Sequence, residues 1–398
     1  MSQPGSKTYH ISWVQQIAEV SQHEWDALAQ PLAVPFLEWE WLRLMEASGS
    51  TSPEKGWLPI HLTVRRGNRL AAAAPLYIKG HSAGEFVFDH AWADVAERLG
   101  IAYYPKLVGM SPFTPAEGYR FLIAPGEDSE RLTAIMVHAI ERFCVAQRLS
   151  GVSFNYIDPE WRLQMEKFGF RAWMHQSFSW RNRGYRSFDD FLARFKSNQR
   201  RNIRRERKAM ERQGFELDVF QGDRIPREFL DHMYRLYART NDRFGIWGCK
   251  YLTPEFFGSL FRGYRHRLLF VAAFNGERRG LPTAMSMFLT KADRLYGRYW
   301  GALREADALH FNACYYQPIE WAIGHGIRLF DPGIGGPHKV RRGFEAVANY
   351  SLHRFFDPRL QQVMDRYLHG INRNEQVEIE EINAEIPFAK RDDGMPPS

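Results

Sequence analysis

The stretch RSFDDFLARFKSNQRRNIRRERKAMERQG, residues 186–214, carries most of the net charge of the chain and predicts a long helix. It holds ten Lys or Arg and four Asp or Glu residues, a net of +6 against a formal net charge of +7 for all 398 residues. Ser187 followed by Asp190 resembles a capping box, and Gly214 is typical of a helix stop. The stretch therefore predicts a single helix of about seven turns.

The two faces of this predicted helix differ. The apolar stripe of its first half continues at helical spacing into a largely polar second half, through Gln199, Asn202, Ile203, Glu206 and Met210. Arginines crowd the remaining surface, and their forked guanidinium groups match phosphate geometry. We expect Arg200, Arg204 and Arg205 to bind donor phosphates. The alternative is a solvated basic face that confers only solubility.

Composition limits the classes of protein that fit. The length allows two domains, and 44% hydrophobic with 15% aromatic residues favours folded cores over disorder. Three widely spaced cysteines favour a reducing compartment and argue against a disulfide framework or a zinc site, so no metal is expected. The first residues contain no apolar run of signal-peptide length, and the longest apolar run, residues 70–78, is too short to span a bilayer. These features predict a cytoplasmic protein without a membrane span.

The order of predicted elements repeats. Each half shows helix, hairpin, helix and strand, and LAAAAPLYIK (70–79) corresponds to LPTAMSMFLTK (281–291). This order predicts a tandem duplication of one mixed α/β unit. The expected domains are residues 1–184, residues 185–358, and a C-terminal part, 359–398, with one helix, an acidic run and a disordered DDGMPPS end.

The segment after residue 295 holds most of the candidate chemistry. Tyr296, Arg298 and Trp300 lie on a predicted strand that contains glycine, which often marks a bulge or the approach of a ligand. The following predicted helix carries His310 and Tyr316, for which a packed, hydrogen-bonded core position is the alternative.

A glycine-rich loop, residues 331–339, follows the last predicted strand of this segment. It fails the Walker pattern, because His338 stands at the second glycine position and Val340 at the Ser/Thr position. Gly335 and Gly336 offer free backbone N–H groups next to Lys339 and Arg342, a pattern that predicts an anion-binding nest. The sequence contains no HExxH, GxSxG or strand-linked GxGxxG motif, which argues against zinc proteases, serine hydrolases and dinucleotide-binding enzymes.

A series of motifs in order resembles a known family. These motifs are PFLEWEWLRLMEASGS, EFVFDHAWAD, YYPKL, SPFTP, SFDDFLARFKSNQRRNIRRER, RLYGRYWG, LHFNACYYQPIEWAI and GGPHKVRRGF. They are similar to the FemAB-like proteins labelled peptidoglycan biosynthesis/recognition, within the GNAT (acyl-CoA N-acyltransferase) superfamily, over roughly residues 8–358. The resemblance implies two tandem GNAT-like domains. The family usually has Gly-Glu-His-Lys where residues 336–339 read Gly-Pro-His-Lys, and GALREADALHF does not match the GNAT pyrophosphate loop.

This resemblance implies an N-acyltransferase that moves an acyl or aminoacyl group from a phosphorylated donor to a small-molecule or peptide amine. Acyl-CoA is one expected donor, and aminoacyl-tRNA, used by Fem-type relatives, is the other. The expected proton-transfer residues are His338, His310 and Tyr316. The expected donor-binding residues are Arg200, Arg204, Arg205, Arg298, Lys339, Arg342, Gly335 and Gly336. The expected acceptor-binding residues are His90, Trp92, Tyr104, Lys106, Tyr296 and Trp300.

Two non-catalytic alternatives remain open at this point. A nucleic-acid-binding module would use the basic helix against phosphates and exposed aromatic side chains for stacking. A degenerate acyltransferase fold would only recognise cell-wall precursors. Arginines that point into a cleft shared with His338 and Tyr296 would favour the enzyme, and arginines on an open face would favour binding.

Overall fold

A computed structural model describes residues 8–245, 248–276 and 280–389. The chain forms two compact units. The first comprises residues 1–176, 245–267 and 348–376, and the second comprises residues 177–244, 268–347 and 377–398. The predicted boundaries at residues 184 and 358 do not coincide with these units, because segments 245–267 and 348–376 pack with the first unit rather than with their sequence neighbours.

Helices and strands alternate along the chain. The helices are α1 Gln22–Ala29, α2 Trp39–Ala47, α3 His90–Arg98, α4 Ser129–Ala146, α5 Pro159–Glu166, α6 Phe188–Ala193, α7 Ser197–Arg212, α8 Glu228–Asp242, α9 Pro254–Gly263, α10 Leu309–Phe311, α11 Gln317–Gly324 and α12 Pro358–Ala384. The strands are β1 Tyr9–Val14, β2 Trp57–Pro59, β3 His61–Arg66, β4 Arg69–Ala74, β5 Leu76–Lys79, β6 Lys106–Gly109, β7 Leu122–Ile123, β8 Gly151–Phe154, β9 Arg171–Arg181, β10 Phe215–Gln221, β11 Leu268–Asn275, β12 Ala284–Lys291, β13 Arg294–Ala302, β14 Leu329–Asp331 and β15 Glu345–Phe355.

The first unit contains two groups of paired strands. One is an antiparallel sheet in the order β1-β3-β4-β7. The other has the order β2-β5-β6-β8-β15, in which β6 and β8 are parallel and the other pairs are antiparallel. The long helix α4 makes the connection between the parallel strands, as such crossovers require.

The second unit repeats this plan. Its strands follow the order β10-β11-β12-β13-β14-β9, and only β13 and β14 are parallel. The connection between these two strands runs through α10 and α11. Each unit thus combines antiparallel strands with one parallel pair joined by helix, which agrees with the predicted duplication of a mixed α/β unit.

The basic stretch forms two helices instead of the predicted single one. Ser187 caps α6 by accepting a hydrogen bond from the Asp190 N–H (3.1 Å), and Gly214 follows α7 with a φ of +70°. Between the helices, the Lys196 N–H donates to the Pro387 carbonyl (2.9 Å), and the Ala389 N–H donates to the Arg194 carbonyl (2.7 Å). The helix is interrupted because these backbone groups pair with a segment distant in sequence.

The C-terminal part is also more helical than expected. Helix α12 runs through most of the predicted acidic run, and the predicted disordered end lies outside the described residues. Its first part packs in the first unit, where Leu360, Met364 and Leu368 form a cluster with Trp92 and Tyr103. None of the described helices is long and apolar enough to cross a membrane.

Helix α9 and its C-terminal flank are fixed to the first unit by buried polar contacts. The Tyr264 hydroxyl donates to Glu38 Oε2 and lies 2.6 Å from both that oxygen and the Pro35 carbonyl. Arg267 Nη2 lies 2.7 Å from the other oxygen of Glu38. Tyr264 is 1% exposed and Glu38 is 2% exposed, so neither group has water as a substitute partner.

We predict that Tyr264→Phe lowers the free energy of unfolding by about 1–3 kcal/mol, because it removes a buried hydrogen bond from the hydroxyl to a charged carboxylate. Urea denaturation measures the change. Tyr367→Phe, at a 55% exposed position of α12, is the matched control and should change stability by less than about 0.5 kcal/mol. Equal effects of the two variants would contradict the assigned contact.

Candidate functional site

Two local irregularities shape the candidate site in the second unit. The register between β12 and β13 shifts between Met287 and Phe288, so that Arg298 is the extra residue of a β-bulge. The helix after β13 contains a π-helical segment, Asn312–Tyr316, between α10 and α11. Bulges and π-turns both change the direction of side chains and are frequent beside functional sites.

The Glu206 carboxylate of α7 lies at the centre of a buried polar network. Its oxygens accept from Arg342 Nη2 at 3.1 and 3.2 Å, from Asn202 Nδ2 at 3.1 Å and from the Tyr316 hydroxyl. The Glu206 carbonyl accepts from Asn312 Nδ2 at 3.0 Å. Tyr316 is fully buried, and burial raises its pKa, so it keeps its proton. The inward stripe predicted for the basic stretch therefore exists, and its polar positions are paired.

Arg342, an expected phosphate ligand, is a buried part of this network. It is 5% exposed, and its guanidinium carbon lies 3.3 Å from the centre of the Phe311 ring. Its Nη1 donates to the carbonyl of His338 at 2.8 Å. Arg342 thus fixes the backbone of the segment that carries His338. Its predicted contact with a donor phosphate stays a prediction.

The glycine-rich loop surrounds the ammonium group of Lys339. Lys339 Nζ donates to the Gly333 carbonyl at 2.5 Å, and a Cβ at Gly335 would lie 3.0 Å from this nitrogen. Lys339 is 1% exposed. Burial lowers the pKa of its ammonium group to about 8, although the Asp331 carboxylate acts to raise it. A carbonyl of the loop thus binds the ammonium group, and the anion nest expected at Gly335 and Gly336 stays a prediction.

His338 and His310 lie close together, and His310 lines a cleft. His338 Nε2 is 3.0 Å from the Tyr315 hydroxyl, and the two imidazole rings are 6.1 Å apart. His338 is exposed, and its pKa is lowered by partial desolvation and by the charges of Lys339 and Arg342.

His310 is less accessible, and burial lowers its pKa to about 4, with smaller effects from His338, Arg342 and Lys339. It contributes to a cleft of about 430 Å³ lined by Thr240, Arg243, Phe244, Trp300, Ala302, Arg304, Glu305, Ala306, Leu309 and His310. The Trp300 and His310 rings meet edge to face at 5.3 Å. The structure thus brings together three predicted residues, His310, His338 and Trp300.

The outer face of α7 forms an open basic surface. Its exposed side chains line a shallow groove formed by Arg201, Arg204, Arg205, Lys208, Glu211 and Arg212. Arg204 contacts Asp189 at 3.2 Å, whereas Arg201, Lys208 and Arg212 have no ion pair within the described part of the chain. Arg200 lies on the same helix and is half-buried. We call this groove, together with Arg200, the α7 basic face.

Other predicted residues lie elsewhere. Tyr296 is 2% exposed within β13, and Arg298 occupies the bulge of that strand. In the first unit, His90 is exposed at the start of α3, Trp92 is buried in an apolar cluster, Tyr104 is half-buried and Lys106 is 2% exposed. Their roles in binding an acceptor or donor stay predictions.

Glu206 and Tyr315 are site residues that the sequence did not reveal. Glu206 stands among arginines, and its position on the inward stripe was the only sequence feature that could have identified it as a site residue. The partner of its charge, Arg342, lies 136 residues away. Nothing in the local sequence of Tyr315 distinguishes it from the neighbouring Tyr316, because the π-turn decides which side chain reaches His338.

Comparisons with known proteins identify relatives of the chain. The model of the FemAB-like family, described as peptidoglycan biosynthesis/recognition, matches residues 16–390. No curated protein matches the sequence significantly.

Solved structures that are similar to the chain cover most of it. A crystal structure of FemX has a TM-score of 0.51 at 12% identity and covers 87% of this chain and 98% of FemX. The C-terminal domain (DUF2156) of a putative lysylphosphatidylglycerol synthetase from Agrobacterium fabrum has a TM-score of 0.52 at 10% identity. The match covers 89% of this chain and 97% of that domain. A tandem GNAT protein from the clavulanic acid biosynthesis pathway has a TM-score of 0.46 at 12% identity and covers 88% and 99%. The fold is mixed α/β, with GNAT-like domains in tandem.

We predict that Glu206→Ala lowers the free energy of unfolding by about 3–5 kcal/mol, because it leaves the buried Arg342 guanidinium without a counter-charge. Chemical denaturation checks this value. Glu211→Ala, at an exposed position of the same helix, is the control and should have an effect below about 0.5 kcal/mol. A small effect of Glu206→Ala would show that Arg342 does not depend on this carboxylate.

We also predict that His310 makes the protein less stable in acid. An unfolded histidine protonates near pH 6.5, whereas folded His310 stays neutral down to about pH 4. The unfolded state therefore binds more protons in this window, and His310 contributes a loss of about 1.4 kcal/mol per unit as the pH falls. Unfolding measured from pH 7.5 to 4.5 should give a shallower loss for His310→Gln. If the unfolding free energies of His310→Gln and the parent protein differed by a constant amount below pH 6.5, the low pKa of His310 would be contradicted.

Proposed function

Because the chain belongs to the FemAB-like family, we propose that it transfers an aminoacyl group from aminoacyl-tRNA to the amine of a small-molecule or peptide acceptor. The observation that carries the tRNA donor in this proposal is the α7 basic face, an open surface of arginine and lysine side chains on the helix whose inner face holds the Glu206 network. An open face by itself favours nucleic-acid binding, and the transfer step of the proposal is supported by the family and by His338. Such a surface suits the regularly spaced phosphates of a nucleic acid.

The second unit favours RNA over acyl-CoA as the source of the phosphates. A GNAT-type CoA site would need a glycine-rich loop between β13 and the following helix. Here that connection, residues 303–308, holds no glycine. Gly301, near the end of β13, is required for packing, because a Cβ there would lie 2.3 Å from the Leu236 carbonyl. Ala308, just before α10, has a φ of +57°, unlike a loop of successive free N–H groups. The phosphate-binding potential therefore lies on α7.

The reaction requires one proton transfer. The acceptor nitrogen attacks the ester carbonyl of the aminoacyl-tRNA, a C–N bond forms, and the bond between the carbonyl carbon and the ribose oxygen breaks. The nitrogen loses a proton and the ribose oxygen gains one. His338 suits this transfer because its lowered pKa keeps it neutral, and neutral imidazole accepts a proton. Tyr315, whose pKa burial raises, stays protonated with its oxygen 3.0 Å from Nε2 and orients the ring. In the tautomer in which Nε2–H donates to this oxygen, Nδ1 is the nitrogen that accepts the substrate proton.

The remaining cluster positions these groups. Arg342 holds the His338 carbonyl, and Glu206 holds Arg342, so the backbone that carries the His338 imidazole is fixed beside His310, which lines the cleft. Trp300 and His310 line that cleft with Phe244, which is 61% exposed. Aromatic walls with a few polar groups are typical of pockets for small ligands. We assign the cleft to the transferred aminoacyl group or to the acceptor.

We predict that replacing Arg201, Arg205 and Lys208 together by Gln weakens binding of charged tRNA at least about tenfold and reduces the slope of log K against log salt by about 1 for each lost phosphate contact. Filter binding at several salt concentrations gives both quantities. Transfer of radiolabelled amino acids from total charged tRNA to a cell-wall precursor peptide with a free amine should fall in parallel.

The matched control replaces Arg224, Arg227 and Arg328, exposed arginines elsewhere in the second unit, by Gln and removes the same charge. It should keep tRNA binding. An equal loss of tRNA binding in both variants would show that binding depends only on the overall charge of the protein. Transfer from acetyl-CoA with no response to charged tRNA would overturn the proposed donor, and tRNA binding without transfer to any amine would support a binding module.

A further inference from the structure

One face of the first unit's second sheet is polar although it is buried. Directly paired residues of a sheet point to the same face, and the register aligns Tyr77 with Val108, Val108 with Ser153, and Ser153 with His353. Lys79 pairs with Lys106 beside this row. The polar members of this set are each at most 2% exposed. Buried sheet faces are normally apolar, so this composition requires a reason.

Residues 80–89 supply two carboxylates to this face. Lys106 Nζ lies 3.0 Å from Glu85 Oε2 and also contacts Asp89. Asp89 accepts from the Tyr103 hydroxyl at 2.8 Å and from the Ser82 hydroxyl at 2.5 Å. These contacts and the charge of Lys106 keep the Asp89 carboxylate ionised, with a strongly lowered pKa. Asp89 and Lys106 therefore satisfy each other within the protein.

The second lysine is satisfied as well. Lys79 Nζ donates to the Ala83 carbonyl at 3.1 Å and lies 3.7 Å from the centre of the Trp57 ring. Burial lowers its pKa to about 7. At neutral pH the cluster therefore holds one fully charged lysine, one partly charged lysine and two carboxyl groups, and it has no cation in reserve for a further anion.

Besides the Tyr77 and Ser153 hydroxyls, which can both donate and accept, the buried groups of this cluster without partners in the described part of the chain are oxygen acceptors. Glu85 Oε1 and Asn155 Oδ1 are buried and have no hydrogen-bond partner among the described residues. Glu85 is 1% exposed and Asn155 is 0% exposed. The two side chains are neighbours, since Asn155 Nδ2 donates to Glu85 Oε2 at 3.2 Å. A buried acceptor left without a donor is destabilising, and native structures contain few of them.

We propose that Glu85 and Asn155 of the first unit bind the primary ammonium group of a ligand. A primary ammonium group offers three N–H donors and a positive charge, which match a carboxylate oxygen and an amide oxygen side by side. This inference concerns binding alone and does not depend on the transfer reaction proposed for the second unit.

Aromatic residues next to these acceptors support a ligand site. Phe86 follows Glu85 directly and Tyr156 follows Asn155 directly, and both have a positive φ, of 58° and 52°. The Tyr156 hydroxyl donates to the Phe86 carbonyl at 2.6 Å, and the Phe86 ring lies 6.0 Å from Tyr251. Bulky residues in the left-handed region are strained and are concentrated at ligand sites. Aromatic faces also attract ammonium groups.

Methylammonium chloride is the probe for this site, and tetramethylammonium chloride is its control, because it carries the same charge without N–H donors. We expect methylammonium to raise the melting temperature of the full-length protein saturably, beyond the effect of tetramethylammonium at equal ionic strength. Glu85→Gln should weaken the fitted dissociation constant at least about tenfold, because it removes the charge that the ammonium faces. Glu97→Gln, at an exposed position of α3 in the same unit, should leave it unchanged.

Asn155→Asp tests the same idea without removing a partner of Lys106. It adds a carboxylate oxygen beside Glu85 and should tighten methylammonium binding, whereas Asn155→Leu should abolish it. Equal responses to methylammonium and tetramethylammonium, or equal affinities of the parent protein and Glu85→Gln, would overturn the proposal. So would a crystal soaked in methylammonium chloride that shows only water at Glu85 Oε1 and Asn155 Oδ1.

Discussion

The second unit depends on one carboxylate, that of Glu206. An arginine cannot lose its proton inside a protein, so the buried Arg342 requires a permanent counter-charge. Glu206 provides it, and the same residue accepts the Tyr316 hydroxyl and, through its carbonyl, the Asn312 amide. Three segments that are far apart in sequence, α7, the π-helical segment and the residues around 338–342, are thereby held together. Without this charge, the contact of Arg342 with the His338 carbonyl has no support.

The same constraint divides α7 into two faces with different tasks. The inner face carries Glu206, the one glutamate of α7 that points inward. Its carboxylate accepts hydrogen bonds from Arg342, Asn202 and Tyr316. The outer face keeps its positive charge because few acids lie near it. A helix whose arginines all paired inward would have no charge left for a ligand. The high charge of the stretch is therefore compatible with a buried network because the network takes its cation from Arg342 and not from α7.

The local sequence pattern was sufficient to predict where the basic helical stretch begins and ends and which of its faces points inward. The Ser187 cap, the Gly214 stop and the inward stripe follow from helical spacing and side-chain size, which act over a few residues. The break after Ala193 could not be predicted, because it results from hydrogen bonds to residues 387 and 389. Likewise Lys339 and Arg342 look like phosphate ligands in sequence. Only the fold shows that the Gly333 carbonyl and Glu206 already bind them.

The two units also show how a duplicated fold can use the same position in two ways. In the second unit, the loop after the parallel strand β14 offers the Gly333 carbonyl, which accepts from the ammonium group of Lys339, and Asp331 at the end of β14 adds a nearby carboxylate that raises the pKa of that group. In the first unit, Asn155 directly follows the parallel strand β8 and lies against Glu85, but two of their acceptor oxygens have no donor from the described chain. One unit thus supplies its own ammonium group at the end of the parallel pair. The other has the acceptors for an ammonium group without supplying all of the donors, and a ligand amine has the charge and the N–H groups to complete it.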